Sequence, residues 1–333
     1  MKRRLHLSFI IVIVILILTG TILFILLNNK LVMEIGEEVV IRIPYGTSIP
    51  QIAQILKESN LIKDETLFIL TAKAIHYICK ADICAGTYKF SNKVPMWSLL
   101  YKLFRGKTVK IKILIPEGAD IFDIGRILEK RLGLKKNEVI KYCLKYNLEG
   151  FLFPDTYFFA GDEALEEVII FMVNNFKKKV SPIIQDKIGK DSKAAYKILI
   201  LASIIEKEVQ ADEERRIISS IFYNRLKKNK PLESCSTVIY AHKMENWDYV
   251  PQWKKLKYSE LKINSPYNTY LHKGLPPGPI CNPGIKSILA ALEPLNTEYM
   301  YFFATSTGTH IFSKTYTEHI YQQRKYKQLV QEQ

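Results

Sequence analysis

The hydrophobic and polar positions of the chain fall into three regimes. The first is an uncharged run from Leu7 to Leu27, dominated by Ile, Leu and Val and preceded by Lys2, Arg3 and Arg4. As a helix, its 21 residues would extend about 31 Å, enough to cross a hydrocarbon core of ~30 Å. A cleaved signal peptide would carry a shorter apolar stretch of ~7–15 residues and small residues at its end. Here Asn28, Asn29 and Lys30 follow. The pattern therefore predicts a retained transmembrane anchor over 7–27. The basic cluster in the tail, 1–6, places the N-terminus in the cytoplasm and the bulk of the chain outside.

The second regime is a pattern used twice. Residues 43–56 and 115–128 share seven of fourteen positions at an offset of 72. Each copy follows an apolar, strand-like run (Val39 to Ile43; Val109 to Ile115) and carries Pro and Gly where a turn belongs. Each continues with apolar residues at helical spacing, Ile52, Ile55 and Leu56 or Ile124, Ile127 and Leu128, with Ser48 or Asp120 placed to cap. A strand at Ala85–Phe90 and a helix from Pro95 to Phe104 complete a small α+β module over 35–105. The boundary is expected near Arg105-Gly106-Lys107.

The third regime, 108–333, reads as a larger mixed α+β domain. Helices are expected near 163–179, from Ala195 to Val209, from Asp212 to Lys228 and from Gly284 to Leu292. The last of these is signalled by Asn282-Pro283. A hairpin is expected from Tyr299–Ala304 and His310–Ser313, and Thr317 is placed to cap a final basic helix. Between them lies a long loop, Asn264 to Asn282, stiffened by prolines and too long for a casual connection.

Charge narrows the partners. A net charge of +15 favours anionic lipid headgroups, an acidic polymer or nucleic acid, and an exported bulk argues against the last. The five cysteines form no C-x-x-C pattern and no histidine pair has ligand spacing, so no metal site is expected.

The segment Ile198–Ile205 is apolar on every side, which implies burial, and Glu206 is the first charge after it. A carboxyl group seated on apolar surface keeps its proton more readily than in water, as a general acid must. The pattern equally allows that Glu206, Lys207 and Glu208 mark the helix emerging into water, and does not separate Glu206 from Glu208. On the next helix Asn224 and Arg225 continue an apolar stripe, so they must find hydrogen bonds inside or line a cleft. Aromatic rings and amides side by side in Tyr267-Asn268-Thr269-Tyr270 suit a carbohydrate.

These segments resemble the endolytic murein transglycosylases, the MltG or YceG-like proteins. The likeness rests on Glu149-Gly-Phe-Leu-Phe-Pro-Asp-Thr-Tyr157, Ala202-Ser-Ile-Ile-Glu-Lys-Glu208, Phe222-Tyr-Asn-Arg-Leu226, Tyr267–Tyr270, Gly274-Leu-Pro-Pro-Gly278, Asn282-Pro-Gly284 and His310-Ile-Phe312. The resemblance implies an anchor, a LysM-like module at 35–105 and a YceG-like catalytic domain at 108–333. It makes Glu206 the catalytic residue and gives substrate-binding roles to Glu149, Asn224, Arg225, Thr237, Tyr267, Asn268, Thr269 and Tyr270. The implied activity is lytic cleavage of the MurNAc–GlcNAc bond of peptidoglycan without a cofactor, at the outer face of the cytoplasmic membrane beside the cell-wall synthases. The rival readings are a non-catalytic wall-binding scaffold and a hydrolase with Glu149 as second carboxylate. One departure stands out: the family pattern Asp-Pro-Thr-Val reads Cys235-Ser-Thr-Val238 here. Because Cys281 lies in the other loop expected at the cleft, a Cys235–Cys281 disulfide is a further expectation.

Overall fold

The computed structural model describes Gly20 and residues 38–331, apart from residues 45, 91–93, 109, 162 and 251–255. The anchor predicted over 7–27 thus lies, Gly20 aside, outside the described residues. Among the described residues no helix is long and apolar enough to cross a membrane. They form a mixed α+β fold whose short strands pair two by two. The chain divides into two compact units, one running to Ile111 and taking in Phe158–Glu163, the other Lys112–Tyr157 with Ala164–Gln333. The return of 158–163 to the first unit is invisible to a boundary drawn near residue 106.

In the first unit, β1 (Val39–Ile43) pairs antiparallel with β2 (Gly86–Phe90), Val39 opposite Phe90 and Ile43 opposite Gly86. Alternation does the sorting: Ile41, Ile43, Tyr88 and Phe90 are buried, whereas Val40 and Lys89 face out. Against this sheet pack residues of α1 (Ile49–Glu58), α2 (Glu65–Cys79) and α3 (Met96–Phe104), including Ile52, Leu56, Phe68, Leu99 and Leu103. The Ser48 N–H is taken up by the Gln51 side chain, and the Leu67 N–H by Asp64, so both helix starts are closed.

In the second unit, the repeat's second copy becomes β3 (Ile111–Leu114) and α4 (Ile121–Leu132). Asp120 caps α4 by accepting from Asp123 N–H at 2.8 Å, and Gly133 ends it in the left-handed region at φ +73°. Helix α5 (Lys136–Lys145) packs against α4. After β4 (Thr156–Phe159), which pairs with β3 and whose last two residues count with the first unit, come α6 (Leu165–Lys179) and α7 (Ser181–Ile188).

Helix α8 (Ser192–Glu208) is the centre of this unit. Leu199 to Ile205 are all buried, because α7, α9 (Arg215–Lys227), α10 (Cys235–Glu245) and α11 (Ile285–Leu292) surround them. Full burial of one such aliphatic side chain contributes about 1.5–3 kcal/mol, so this helix is a rigid support for whatever its end carries. The hairpin β5 (Tyr301–Ala304) and β6 (His310–Ser313) and the terminal α12 (Tyr316–Gln331) close the unit. The cap of α12 is Thr315, whose hydroxyl accepts from Glu318 N–H. Thr317, expected in that role, lies within the helix.

Candidate active site

The last turn of α8 carries Glu206 out of apolar packing. Ile204 and Ile205 are wholly buried, and the Glu206 side chain keeps 7% exposure. Three segments meet it. At the N-terminal end of α11, Gly284 N–H donates to Glu206 Oε2 at 3.0 Å. From α9, Arg215 Nη1 reaches Glu206 Oε1 at 3.4 Å, donates to Ser287 Oγ at 2.6 Å, and through Nε holds Asp212 at 3.0 Å. Lys286 pairs with the same Asp212. The third segment is the turn Pro116–Ala119. Gly118 has φ +76°, Glu206 Cγ lies 3.5 Å from where its Cβ would stand, and its carbonyl accepts from Lys207 Nζ at 3.1 Å. Both oxygens of Glu206 are thus oriented by fixed donors.

This turn also brings in Glu117. A Cβ on Gly284 would stand 2.1 Å from Glu117 Oε1, so only glycine leaves that carboxylate its seat. Burial and the negative charge of Glu206 push the Glu117 carboxyl above the usual glutamate range, while Arg215 and Lys286 pull it down.

Asn282 ties the turn to α11. Its backbone exchanges bonds with the turn, donating to Ala119 O and accepting from Gly118 N–H, both at 2.9 Å. Its side chain donates to Ala119 O and Glu149 Oε1, and accepts from Leu152 N–H at 2.8 Å. Glu149 itself is buried. Its Oε2 accepts from Ile121 N–H at 3.1 Å and from the Tyr240 hydroxyl at 3.0 Å. Burial first and the charge of Asp120 second push its carboxyl up to about 8. With these three donors on it, Glu149 joins α4, α10 and the Asn282 loop from within, and does not offer a carboxylate to a ligand.

The other candidates divide in the same way. Asn268 is wholly buried, its amide donating to Leu261 O and Ile263 O at 2.9 Å and accepting from Tyr270 N–H. Thr269 and Thr237, also buried, share a hydroxyl contact of 2.9 Å. Asn224 donates to Thr297 O and Tyr299 O, and Arg225 to Met300 O, Pro231 O and Leu232 O. Of the two outcomes the stripe allowed, internal hydrogen bonding is the one found. Tyr267, Tyr270 and Asn224 stay half-buried, Tyr267 against the Tyr240 ring with centroids 4.9 Å apart.

Glu208 is not the solvated continuation of its helix. It accepts from the Ser234 and Ser236 hydroxyls at 2.5 and 2.9 Å, anchoring the start of α10. Through Ser234, whose N–H donates to Thr269 Oγ1, it links the end of α8 to the Tyr267–Tyr270 segment. The Cys235–Cys281 disulfide does not form: both are free thiols. Cys235 Sγ lies 3.0 Å from the Tyr270 hydroxyl, and the buried Cys281 thiol donates to Ser203 O.

Residues to which the sequence reading gave no part in the site do much of the positioning: Glu117, Asp212, Arg215 and Ser287, beside Gly284 of the Asn-Pro-Gly motif. Glu117 had a signal, since the repeat has Tyr45 at the matching place. Arg215 follows Asp212-Glu213-Glu214 and reads as surface charge. Farther back on α8, where Leu199 and Tyr196 stand about 10 and 15 Å along the helix from Glu206 at 1.5 Å per residue, a hollow of about 420 Å³ is lined by Phe151, Phe176, Ile184, Tyr196 and Leu199.

A buried helix that ends in an oriented glutamate, framed by a Pro-Glu-Gly turn and an Asn-Pro-Gly helix start, defines the class. The YceG-like family model matches residues 41–325, and the chain belongs to that family. It is 34% identical over 316 residues to a Bacillus subtilis (strain 168) protein named endolytic murein transglycosylase, covering 86% of this chain and 84% of that one. A protein of the same name from Streptococcus pneumoniae (strain D39) is 27% identical over 323 residues, and the match spans 86% of this chain and 56% of that longer protein. Among solved structures, a putative YceG-like protein from Listeria monocytogenes superposes with a TM-score of 0.56 at 34% identity, over 85% of this chain and 98% of that one.

Proposed function

We propose that this chain is an endolytic peptidoglycan lytic transglycosylase, a lyase that cuts glycan strands at MurNAc–GlcNAc bonds and leaves 1,6-anhydro-MurNAc ends. The observation that carries this reading is the setting of Glu206. It holds the first-Glu position of the Ile-Ile-Glu-Lys-Glu motif, on the last turn of a buried helix, with Arg215 and Gly284 N–H orienting its two oxygens. Relatives across most of the chain bear the name of this activity.

The chemistry needs two proton transfers. Glu206 gives a proton to the glycosidic oxygen as the C1–O bond breaks, and the bonding pair leaves with the GlcNAc hydroxyl. The 6-hydroxyl oxygen of the muramic sugar then closes on C1 and yields its proton to Glu206. No water is consumed, so no water-activating base is needed, unlike hydrolases that use two carboxylates. Glu149 is a poor second carboxylate for a hydrolase, because its oxygens are occupied inside the fold.

Tyr267, Tyr270 and the aromatic hollow supply faces for sugar rings, and the excess of basic residues suits a strand carrying peptide carboxylates. The buried members of the Tyr267–Tyr270 and Asn224–Arg225 motifs shape this surface from below. The remainder of the reading places the enzyme. Residues 7–27 anchor it as a single span in the cytoplasmic membrane, N-terminus inside, with the catalytic domain of 108–333 outside. The module at 35–105 is LysM-like and holds glycan, and the anchored enzyme works beside the cell-wall synthases. The test is mass analysis of products from purified glycan strands. Anhydro ends support the reading, whereas reducing ends or an uncut strand would remove it.

A further inference from the structure

The first unit leaves an apolar face uncovered. Helix α2 runs Thr66-Leu-Phe-Ile-Leu-Thr-Ala72 without a charge, so apolar residues fall on both of its sides. Phe68 and Ala72 pack into the core. The opposite side carries Leu70, Ala74, Tyr77 and Ile78 at i, i+4, i+7 and i+8 spacing, all exposed. A helix that is apolar all round is ordinarily buried all round. On α3, Trp97 and Tyr101 stand one turn apart and are exposed as well. A hollow of about 650 Å³ joins the two helices, lined by Thr71, Ile75, Trp97, Leu100, Tyr101 and Phe104. Leu70, Tyr77, Ile78, Trp97 and Tyr101 keep 61, 85, 78, 55 and 47% of their surface. Single exposed apolar side chains need no explanation, but a contiguous patch marks an interaction surface.

Three observations choose the partner. The rim is basic: Arg105 and Lys107 lie over the Tyr101 ring, 6.0 and 4.8 Å from its centroid, and Lys73 and Lys80 are exposed on α2 and just after it. The acids nearest in the chain, Glu65 and Asp82, are paired with Lys57 and His76. Trp and Tyr among aliphatic residues, edged by Lys and Arg, make the composition of a membrane interface. Next, the hollow has little to offer a sugar, since the Thr71 hydroxyl is spent on Leu67 O at 2.7 Å. A second copy seated on the same face would set the basic rim against itself. Last comes the length of the connection. Eleven residues, 28–38, separate Leu27 from Val39, a reach of at most about 40 Å when fully extended. A span over 7–27 would hold this unit near the bilayer at an effective concentration in the ~mM range, where a modest apolar face is enough to dock.

We propose that the α2–α3 face docks on the outer surface of an anionic bilayer, as a second attachment beside the anchor. This rests on the reading of residues 7–27 as a membrane span. Leu70, Tyr77, Ile78 and Trp97 enter the boundary between headgroups and acyl chains, and Lys73, Lys80, Arg105 and Lys107 meet the lipid phosphates. The module is then held against the membrane and does not swing freely on its eleven-residue link.

The test uses the full-length protein in vesicles of phosphatidylcholine and phosphatidylglycerol, with bromine on the upper acyl chains of both leaflets, so that either orientation of insertion reads out. Trp97 emission is the difference between wild type and Trp97→Phe, which cancels Trp247 and Trp253 and keeps the face apolar. Bromolipid should quench roughly half of the Trp97 emission or more, because interfacial residues sit ~5–10 Å into the boundary. The double variant Leu70→Gln/Ile78→Gln, changed at exposed positions, should keep the wild-type circular dichroism and unfolding transition and reduce the quenching severalfold. Trp97 emission indifferent to bromolipid overturns the proposal. A blue shift that instead grows with the protein-to-lipid ratio, or on adding purified glycan strands, overturns it in favour of a second copy or of glycan. Quenching that the folded double variant leaves intact overturns it too. An alkaline carbonate wash separates the two readings: protein stripped from the vesicles removes the span and takes the docking with it, whereas protein retained with Trp97 unquenched removes the docking alone.

Discussion

Replacing Glu149 by Gln tests the buried network under the site. An ordinary glutamate titrates near 4.5, and in the fold burial and the charge of Asp120 push this one up to about 8. The native state therefore binds a proton more tightly than the unfolded chain, and stability must fall as pH rises between those two values. Each tenfold in proton affinity is ~1.4 kcal/mol, so the loss is on the order of 4 kcal/mol between pH 4.5 and pH 8. Glu149→Gln resembles the protonated form at every pH. It still offers Asn282 or Tyr240 one oxygen, and has no charge to bury. Urea unfolding followed by circular dichroism at pH 5, 6.5 and 8 is the assay. At pH 5 the variant should match the wild type or be weaker. Its stability relative to wild type should then climb by several kcal/mol towards pH 8. Asp120, also pushed up chiefly by burial, adds a slope of the same sign. A gap between variant and wild type that is constant across pH would refute the reasoning.

Three further outcomes are expected. Asn282→Ala strips the acceptor from Leu152 N–H and two donated bonds, which should cost roughly 2–4 kcal/mol in denaturant unfolding; a loss under 1 kcal/mol would mean the turn and α11 are held by other means. Glu208→Gln keeps an acceptor for Ser234 and Ser236 but not its charge, so stability should drop by about 1 kcal/mol and substantial cutting activity remain; complete inactivity would move the catalytic role two residues along the helix. Alkylation of denatured, unreduced protein should modify all five cysteines, and a mass short by two labels would reveal a disulfide.

How far the sequence reaches depends on whether a signal is local. Helix α8 was legible because Leu199 to Ile205 are apolar on every side, and α4 because Asp120 marks its start and Ile124, Ile127 and Leu128 its helical spacing. Helix α10 was not. Its buried positions, Thr237, Val238, Tyr240, Ala241 and Lys243, form no single stripe, and it starts at the Cys235-Ser236 departure. Lys243 is buried in an ion pair with Asp120, a contact across 123 residues. Glu206 was legible as a charge ending an apolar run, but the pattern could not prefer it to Glu208. That choice came from the resemblance, and the structure separates their surroundings: Arg215 and Gly284 around one, Ser234 and Ser236 around the other. Arg215 and Glu117 reach the site only through tertiary folding. Their local context, an acidic run and a Pro-Gly turn, is that of ordinary surface.

The direct test of the central claim is the mass spectrum of ends released from purified glycan strands by wild-type enzyme and by Glu206→Gln at equal concentration. The wild type should give 1,6-anhydro-MurNAc ends, 18 Da lighter than hydrolysed ends by the one water not taken up, within strands rather than only at their termini. Glu206→Gln keeps the shape of the site and removes the carboxyl proposed to exchange the proton, so its rate should fall by roughly 10²–10⁴ while strand binding persists. Anhydro ends appearing at near wild-type rate from Glu206→Gln, or reducing ends from the wild type, would contradict the account.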